Sequence, residues 1–238
     1  MPASRIVLGR MHAQSLGVWS RRFTRAAAAD ATSLIDDRAI LALECAAIFV
    51  ALPVALALGV LDVPFVIPLG IATLACVTWL LQRHVPLMLR ATRRDVRRVV
   101  ARFAIASTLL VATLLLFAPE QLAFFPRAHP WKWLILAIVY PIASVWPQEL
   151  LYRSFFFERY EPLFGRALPI ASALAFAFMH ILYRNPTAVL LTLAGGLWFS
   201  STYDRTRSLP LVWLEHTLFG LLVFTIGLGD SFHSSRFW

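Results

Sequence analysis

A chain of 238 residues that is 59% hydrophobic and only 15% charged, with a mean hydropathy of +0.70, cannot clothe itself in a water-soluble surface. At about 20 residues per span the length holds roughly six to eight membrane helices and a short tail, which excludes a second folded domain. The net charge of +9 comes from basic residues scattered between apolar runs, so it speaks for membrane topology and against a nucleic-acid partner.

Residues 1–38 are polar and arginine-rich (Arg5, Arg10, Arg21, Arg22, Arg25, Arg38) and lack the apolar core and small-residue cleavage site of a secretory signal. They read as a cytoplasmic tail, with an acid-poor transit peptide as the alternative. A single membrane domain then runs from 39 to 230. Its apolar runs at 39–61, 64–82, 101–118, 132–147, 167–183, 186–203 and 208–228 predict an all-α polytopic bundle of about seven transmembrane helices. Pro53, Pro68, Pro141 and Pro169 fall inside runs and predict kinks, which a bundle tolerates where neighbours satisfy the freed backbone groups. Segment 83–100, with Arg83, Arg90, Arg93, Arg94, Arg97 and Arg98, is expected along the cytoplasmic surface. The arginine bias puts the N-terminus in the cytoplasm, and the membrane expected is a bacterial plasma membrane. Cys45 and Cys76 lie inside apolar runs and read as buried packing residues rather than a disulfide or metal site.

Ionisable groups inside a bilayer are costly, so each one is a candidate for function. Here they are Glu44, Glu149, Arg153, His180, Glu215 and His216. Glu44 reads as a polar contact within the first helix. Pro147 suits the first turn of a helix and predicts a break after 146. On the helix that follows, Glu149 and Arg153 are four apart and share a face, as do Gln148 and Tyr152, so that an ion pair serving burial alone is the plain reading. Phe176 and His180 stack at the same spacing, and His216 lies deep in the last run beside Glu215, which points about 100° away on the helix. Measured from the cytoplasmic ends of their segments, near Glu158, Arg166 and Ser208, Glu149, His180 and His216 lie at depths of roughly 13, 21 and 12 Å, so all three can meet inside the bilayer. A carboxylate with two imidazoles in a dry cavity suits water activation: the carboxylate takes a proton, while the imidazoles bind a metal or an oxyanion.

The ordered segments Gln148-Glu149-xxx-Arg153, Phe176-xxx-His180 and His216-xxx-Gly220 resemble Glu-Glu-x-x-x-Arg, Phe-x-x-x-His and His-x-x-x-Asn/Asp, the motifs of the CAAX-protease and bacteriocin-processing (CPBP) family of intramembrane proteases. The resemblance covers about residues 132–225 and implies a peptidase similar to type II CAAX prenyl endopeptidases. Its substrate class is a membrane-anchored protein or peptide, prenylated ones included. It implies Glu149, His180 and His216 as catalytic residues, supported by Gln148, Arg153, Phe176 and Gly220. Where a divalent metal is used, zinc by preference, His180, His216 and Glu149 would hold it. Two positions depart from the motifs. Gln148 replaces the first glutamate, which leaves base duty to Glu149, and Gly220 removes a side-chain donor.

Two other classes compete with the endopeptidase. One is a catalytically inactive relative acting as a membrane binding or bacteriocin-immunity protein. The other is a small transporter using intramembrane Glu and His.

Overall fold

The computed structural model describes residues 37–61 and 63–232, and the arginine-rich tail up to residue 36 lies outside them. The chain's contacts fall into two units, Met1–Glu44 and Cys45–Trp238, and every contact discussed below belongs to the second. The described residues form seven long helical segments in the order the apolar runs predict. These are α1 (Asp37–Leu58), α2 (Val66–Gln82), α3 (Arg93–Phe117), α4 (130–164), α5 (Leu168–Met179), α6 (Pro186–Thr206) and α7 (Leu209–Ile226). Four helical stretches, Asp37–Leu58, Arg93–Phe117, Pro130–Tyr183 and Leu209–Ile226, are long and apolar enough to cross a membrane.

Polarity is distributed the opposite way from a soluble protein. Leu74, Leu116, Phe117, Trp131 and Leu190 are exposed, whereas Glu149, Arg153, Ser172, Ser200 and Glu215 are fully enclosed. An apolar exterior is stable only against lipid, and the polar groups inside must satisfy one another. The protein is an integral membrane helix bundle.

Three boundaries differ from the sequence expectation. Helix α3 begins at Arg93, not at 101, because Thr92 caps it: the Thr92 hydroxyl accepts the Asp95 N–H at 3.2 Å. Asp95 in the first turn also suits the positive end of the helix dipole. Only the stretch before it remains for a surface segment. Pro68 and Pro169 sit in the opening turns of their helices, where a missing N–H is harmless, and so neither has a mid-helix bond to break.

The third difference concerns the site directly. Pro147 does not break the chain, which stays helical from 130 to 164 as α-helix interrupted by two π-turns, Pro141–Val145 and Leu150–Phe155. Proline forfeits one i to i−4 bond, and a wider i to i−5 ladder accommodates its ring. The Trp146 N–H reaches the Pro141 carbonyl, and Trp213 Nε1 of α7 donates to that oxygen at 2.7 Å. The α-helical turn Trp146–Glu149, which carries Gln148 and Glu149, is thereby held between two π-turns and tied to the last helix.

Gly165, at φ +48 and ψ −122, lies where α4 hands over to α5, in a conformation that side-chain-bearing residues avoid. The two helices then pack together, with Tyr152 and Phe176 rings 5.4 Å apart. Helix α6 comes close to α5 at Gly196, where a Cβ would meet the Ala173 carbonyl at 3.2 Å. Phe156 and Phe157 are buried in packing, the first against Phe49 of α1 and the second against Tyr203.

Candidate active site

Glu149 is the centre of the buried polar network. One carboxylate oxygen accepts from His216 Nδ1 at 2.7 Å, and the other faces Arg153 Nε at 3.3 Å. The first contact is as short as charge-assisted bonds become. Arg153 is fully enclosed: its guanidinium donates to Ser172 Oγ at 2.7 Å and to the Tyr152 carbonyl at 3.3 Å, and it lies 5.2 Å over the Phe176 ring. Ser172 passes its own proton to the Tyr152 carbonyl at 2.6 Å and accepts from Ser200 at 3.3 Å, which links α4, α5 and α6. Arg153 thus orients Glu149 and is itself oriented.

An ionised carboxylate only accepts, so His216 carries its proton on Nδ1 and presents a basic Nε2. Tyr140 Oη lies 3.3 Å from that nitrogen and donates to it. Phe199 stacks on the imidazole at 4.8 Å and 21°, and Phe176 meets it edge-on at 5.3 Å and 88°, which fixes the ring plane. The result is a continuous chain, Glu149 to His216 to Tyr140.

His180 ends α5. Its Nδ1–H donates to the Phe176 carbonyl at 2.8 Å, four residues back, and this leaves Nε2 as an acceptor. Its ring packs on Phe176 at 4.8 Å. His180, His216, Gln148, Tyr140 and Gly220 all line one predominantly apolar cavity of about 320 Å³, a volume within the range of small-molecule sites. Gln148 donates to Ser144 Oγ at 2.8 Å, and its buried carbonyl oxygen has no hydrogen-bond partner among the described residues.

The structure pairs Glu149 with His216 and sets His180 on the same cavity as His216, on different terms from those read in the sequence. Glu149 is fully enclosed and stands behind His216, outside the cavity wall, while Gln148 faces the cavity. Position along one helix separates the two: neighbours in sequence point about 100° apart. Glu215 does not reach the histidines. It pairs with Arg102 of α3 at 3.4 Å, and Arg102 also donates to Thr202 at 3.1 Å.

A catalytic metal ordinarily takes three protein ligands and keeps one position open. Among the described residues no group of three His, Cys, Asp or Glu side chains is arranged to share an ion. Among the described residues one Glu149 oxygen accepts from His216 Nδ1, the other lies against Arg153 without a hydrogen-bond partner, and His216 Nε2 faces Tyr140 Oη. The donor set as it stands does not fit a metal.

Tyr140 is the residue that sequence spacing missed. It stands 76 positions from His216, and no motif flags it. Ser172 carried a faint signal, since 172, 176 and 180 fall on one helical face. Tyr140 also explains Gly220. A Cβ at 220 would fall 2.5 and 2.6 Å from two carbons of the Tyr140 ring and closer still to its hydroxyl, so glycine is the residue that admits the tyrosine. Gly220→Ala is expected to lower stability by about 1–3 kcal/mol through overpacking, and to do so only while Tyr140 is present. Thermal unfolding of Gly220→Ala, with and without Tyr140→Ala, checks this. Equal effects in the two backgrounds would mean that the ring is not seated there.

Residues 130–222, from the first residue of α4 into α7, match the family model described as Type II CAAX prenyl endopeptidase Rce1-like. Over this segment the chain is similar to the CAAX prenyl protease family. The matched stretch contains every site residue named above except Arg102. The family so described is one of endopeptidases, and the long apolar helices give this chain a lipid bilayer as its setting. No curated protein and no solved structure matches the chain.

Proposed function

We propose that this CAAX-type protein hydrolyses a peptide bond in a membrane-associated protein or peptide, prenylated substrates included, by a glutamate-dependent route without a metal. The observation that carries the reading is the Glu149–His216 bond at 2.7 Å, which ends on a cavity-lining nitrogen. In this reading Glu149 is not itself the base. It holds His216 in the tautomer that presents Nε2 and stabilises the imidazolium that forms there.

A water in the cavity loses one proton to His216 Nε2 as its oxygen bonds to the scissile carbonyl carbon, and the carbonyl π-pair moves onto oxygen. His216 then returns that proton to the amine nitrogen as the C–N bond breaks. His180 Nε2 is an acceptor in the same wall that suits the water's second O–H. The site lies among α4 to α7, in the setting proposed for the whole chain: a bacterial plasma membrane with the N-terminus cytoplasmic.

A second reading, a catalytically silent relative that binds a membrane peptide, draws on Gln148. A neutral amide lines the cavity there, where the family's motif has a carboxylate. Cleavage of an internally quenched peptide ending in a farnesylated cysteine and three further residues separates the two. Wild type is expected to cut it, His216→Ala to fall to background, and Gln148→Glu to change the rate by less than about tenfold, because the base lies elsewhere. An inert wild type that gains activity in Gln148→Glu would establish the silent reading instead. Metal content of the purified active protein tests the metal-free route, with one bound divalent ion per chain counting against it.

A further inference from the structure

We infer that Tyr140 is a catalytic residue, whose hydroxyl donates to the oxyanion in the transition state and so supplies from α4 the donor that α7 lacks at Gly220. The inference rests on the hydrolase reading and adds a residue to it.

Three independent observations converge on this hydroxyl. It lines the cavity that His180, His216 and Gln148 also line. It lies 3.3 Å from His216 Nε2, the nitrogen that takes the water's proton. And it occupies the space that any side chain at 220 would need. Its position is set by rigid surroundings, as a catalytic donor requires. Tyr140 is the last residue before the π-turn at Pro141, whose carbonyl is fixed by Trp213, and its ring packs edge-on against Phe224 at 5.3 Å.

The chemistry follows from the direction of one hydrogen bond. At rest the Tyr140 O–H donates to the lone pair of Nε2. Nε2 has a single lone pair, so the water displaces the Tyr140 O–H from it before its proton transfers, and the Nε2–H then formed points at the oxygen the proton came from. The tyrosine proton is released from its acceptor by that displacement. As the water's proton transfers, the scissile carbonyl oxygen acquires its negative charge, and the free O–H turns to it. No proton leaves Tyr140: the water's proton resides on His216, the tyrosine keeps its own, and the charge on the imidazolium is balanced by Glu149. When His216 returns the proton to the leaving nitrogen, the original bond re-forms. The donor is thus tied up at rest and meets its charge only in the transition state, which is the condition for raising the rate rather than merely tightening binding.

The test uses the full chain in lipid nanodiscs with the quenched farnesyl-cysteine peptide. Tyr140→Phe keeps the ring and its packing and removes only the hydroxyl. It is expected to lower kcat by about 10²–10³-fold, with KM and thermal midpoint little changed, as for loss of a single oxyanion donor. The ¹⁵N resonance of His216 Nε2 in the resting protein is expected to shift in Tyr140→Phe as the nitrogen loses its donor. The double variant Tyr140→Ala/Gly220→Asn, which clears the ring and places an amide on α7, is expected to recover at least about tenfold of the rate lost in Tyr140→Ala. A Tyr140→Phe enzyme that cuts like an active wild type overturns the role of Tyr140 and leaves the hydrolase reading intact. An unshifted His216 resonance overturns it without any activity measurement. A wild type inert toward the peptide, with the resonance shift present, counts against the hydrolase reading, and the oxyanion role falls with it.

Discussion

Glu149→Gln is expected to lower kcat for peptide cleavage by about 10⁴-fold while KM stays near the wild-type value. The substitution keeps the shape of the side chain and removes one charge. Because Glu149 is fully enclosed behind His216, it contributes nothing to the cavity surface, and substrate binding has no reason to change. What changes is the histidine. A carboxylate can only accept from Nδ1, whereas an amide can equally donate to it and leave the proton on Nε2, facing the cavity as an acid instead of a base. Losing the orienting carboxylate of a carboxylate–imidazole pair costs about that factor through the wrong tautomer. The measurement is steady-state cleavage together with the ¹⁵N shifts of both His216 nitrogens, which are expected to exchange their donor and acceptor characters. A Glu149→Gln protein that cleaves within about tenfold of wild type would remove Glu149 from the mechanism.

The largest effect on stability is expected at Arg153. Arg153→Met leaves the Glu149 carboxylate buried with His216 alone, and removing one partner of a buried pair typically destabilises by about 3–5 kcal/mol. Ser172 loses its partner as well, and the cation over Phe176 disappears. The pair need not be stabilising in itself, since apolar replacements of both partners are often neutral or better. Arg153→Met/Glu149→Leu is therefore expected to regain most of the lost thermal stability while remaining inactive. Unfolding midpoints in one detergent, for the two single variants and the double, give the coupling directly. Additive losses would show that Arg153 and Glu149 do not act as a pair. The arrangement separates two roles: Arg153 holds the carboxylate in place, and the carboxylate holds the base.

The departures at 148 and 220 look different once the side chains are placed. Gln148 seemed to shift base duty onto Glu149. The fold instead turns Glu149 away from the cavity and gives that duty, in the proposed mechanism, to His216, with Gln148 left as a neutral amide in the wall. Gly220 seemed a lost donor. In the structure it is the gap that Tyr140 fills, so restoring asparagine there without clearing the ring would overpack the site.

Much of the architecture was legible before any coordinates. Membrane residence and the order of seven helices follow from hydrophobic run lengths, which are local properties of the chain. The i, i+4 pairing of Glu149 with Arg153 and of Phe176 with His180 is local too, and both contacts stand as the spacing implies. The atoms that pair across helices were not legible. The Glu149–His216 bond joins residues 67 positions apart, Tyr140–His216 joins residues 76 apart, and Arg102–Glu215 joins residues 113 apart. Each depends on the rotation of one helix about its axis relative to another, and in α4 that rotation is set by two π-turns that a period of 3.6 cannot anticipate. The sequence alone determined a membrane bundle with a carboxylate and two histidines inside its apolar segments. Only the tertiary structure decided that the carboxylate backs a histidine, that the second acid belongs to Arg102, and that a tyrosine closes the gap at Gly220, because helix rotation and packing, not spacing along the chain, choose the partners of a buried polar atom.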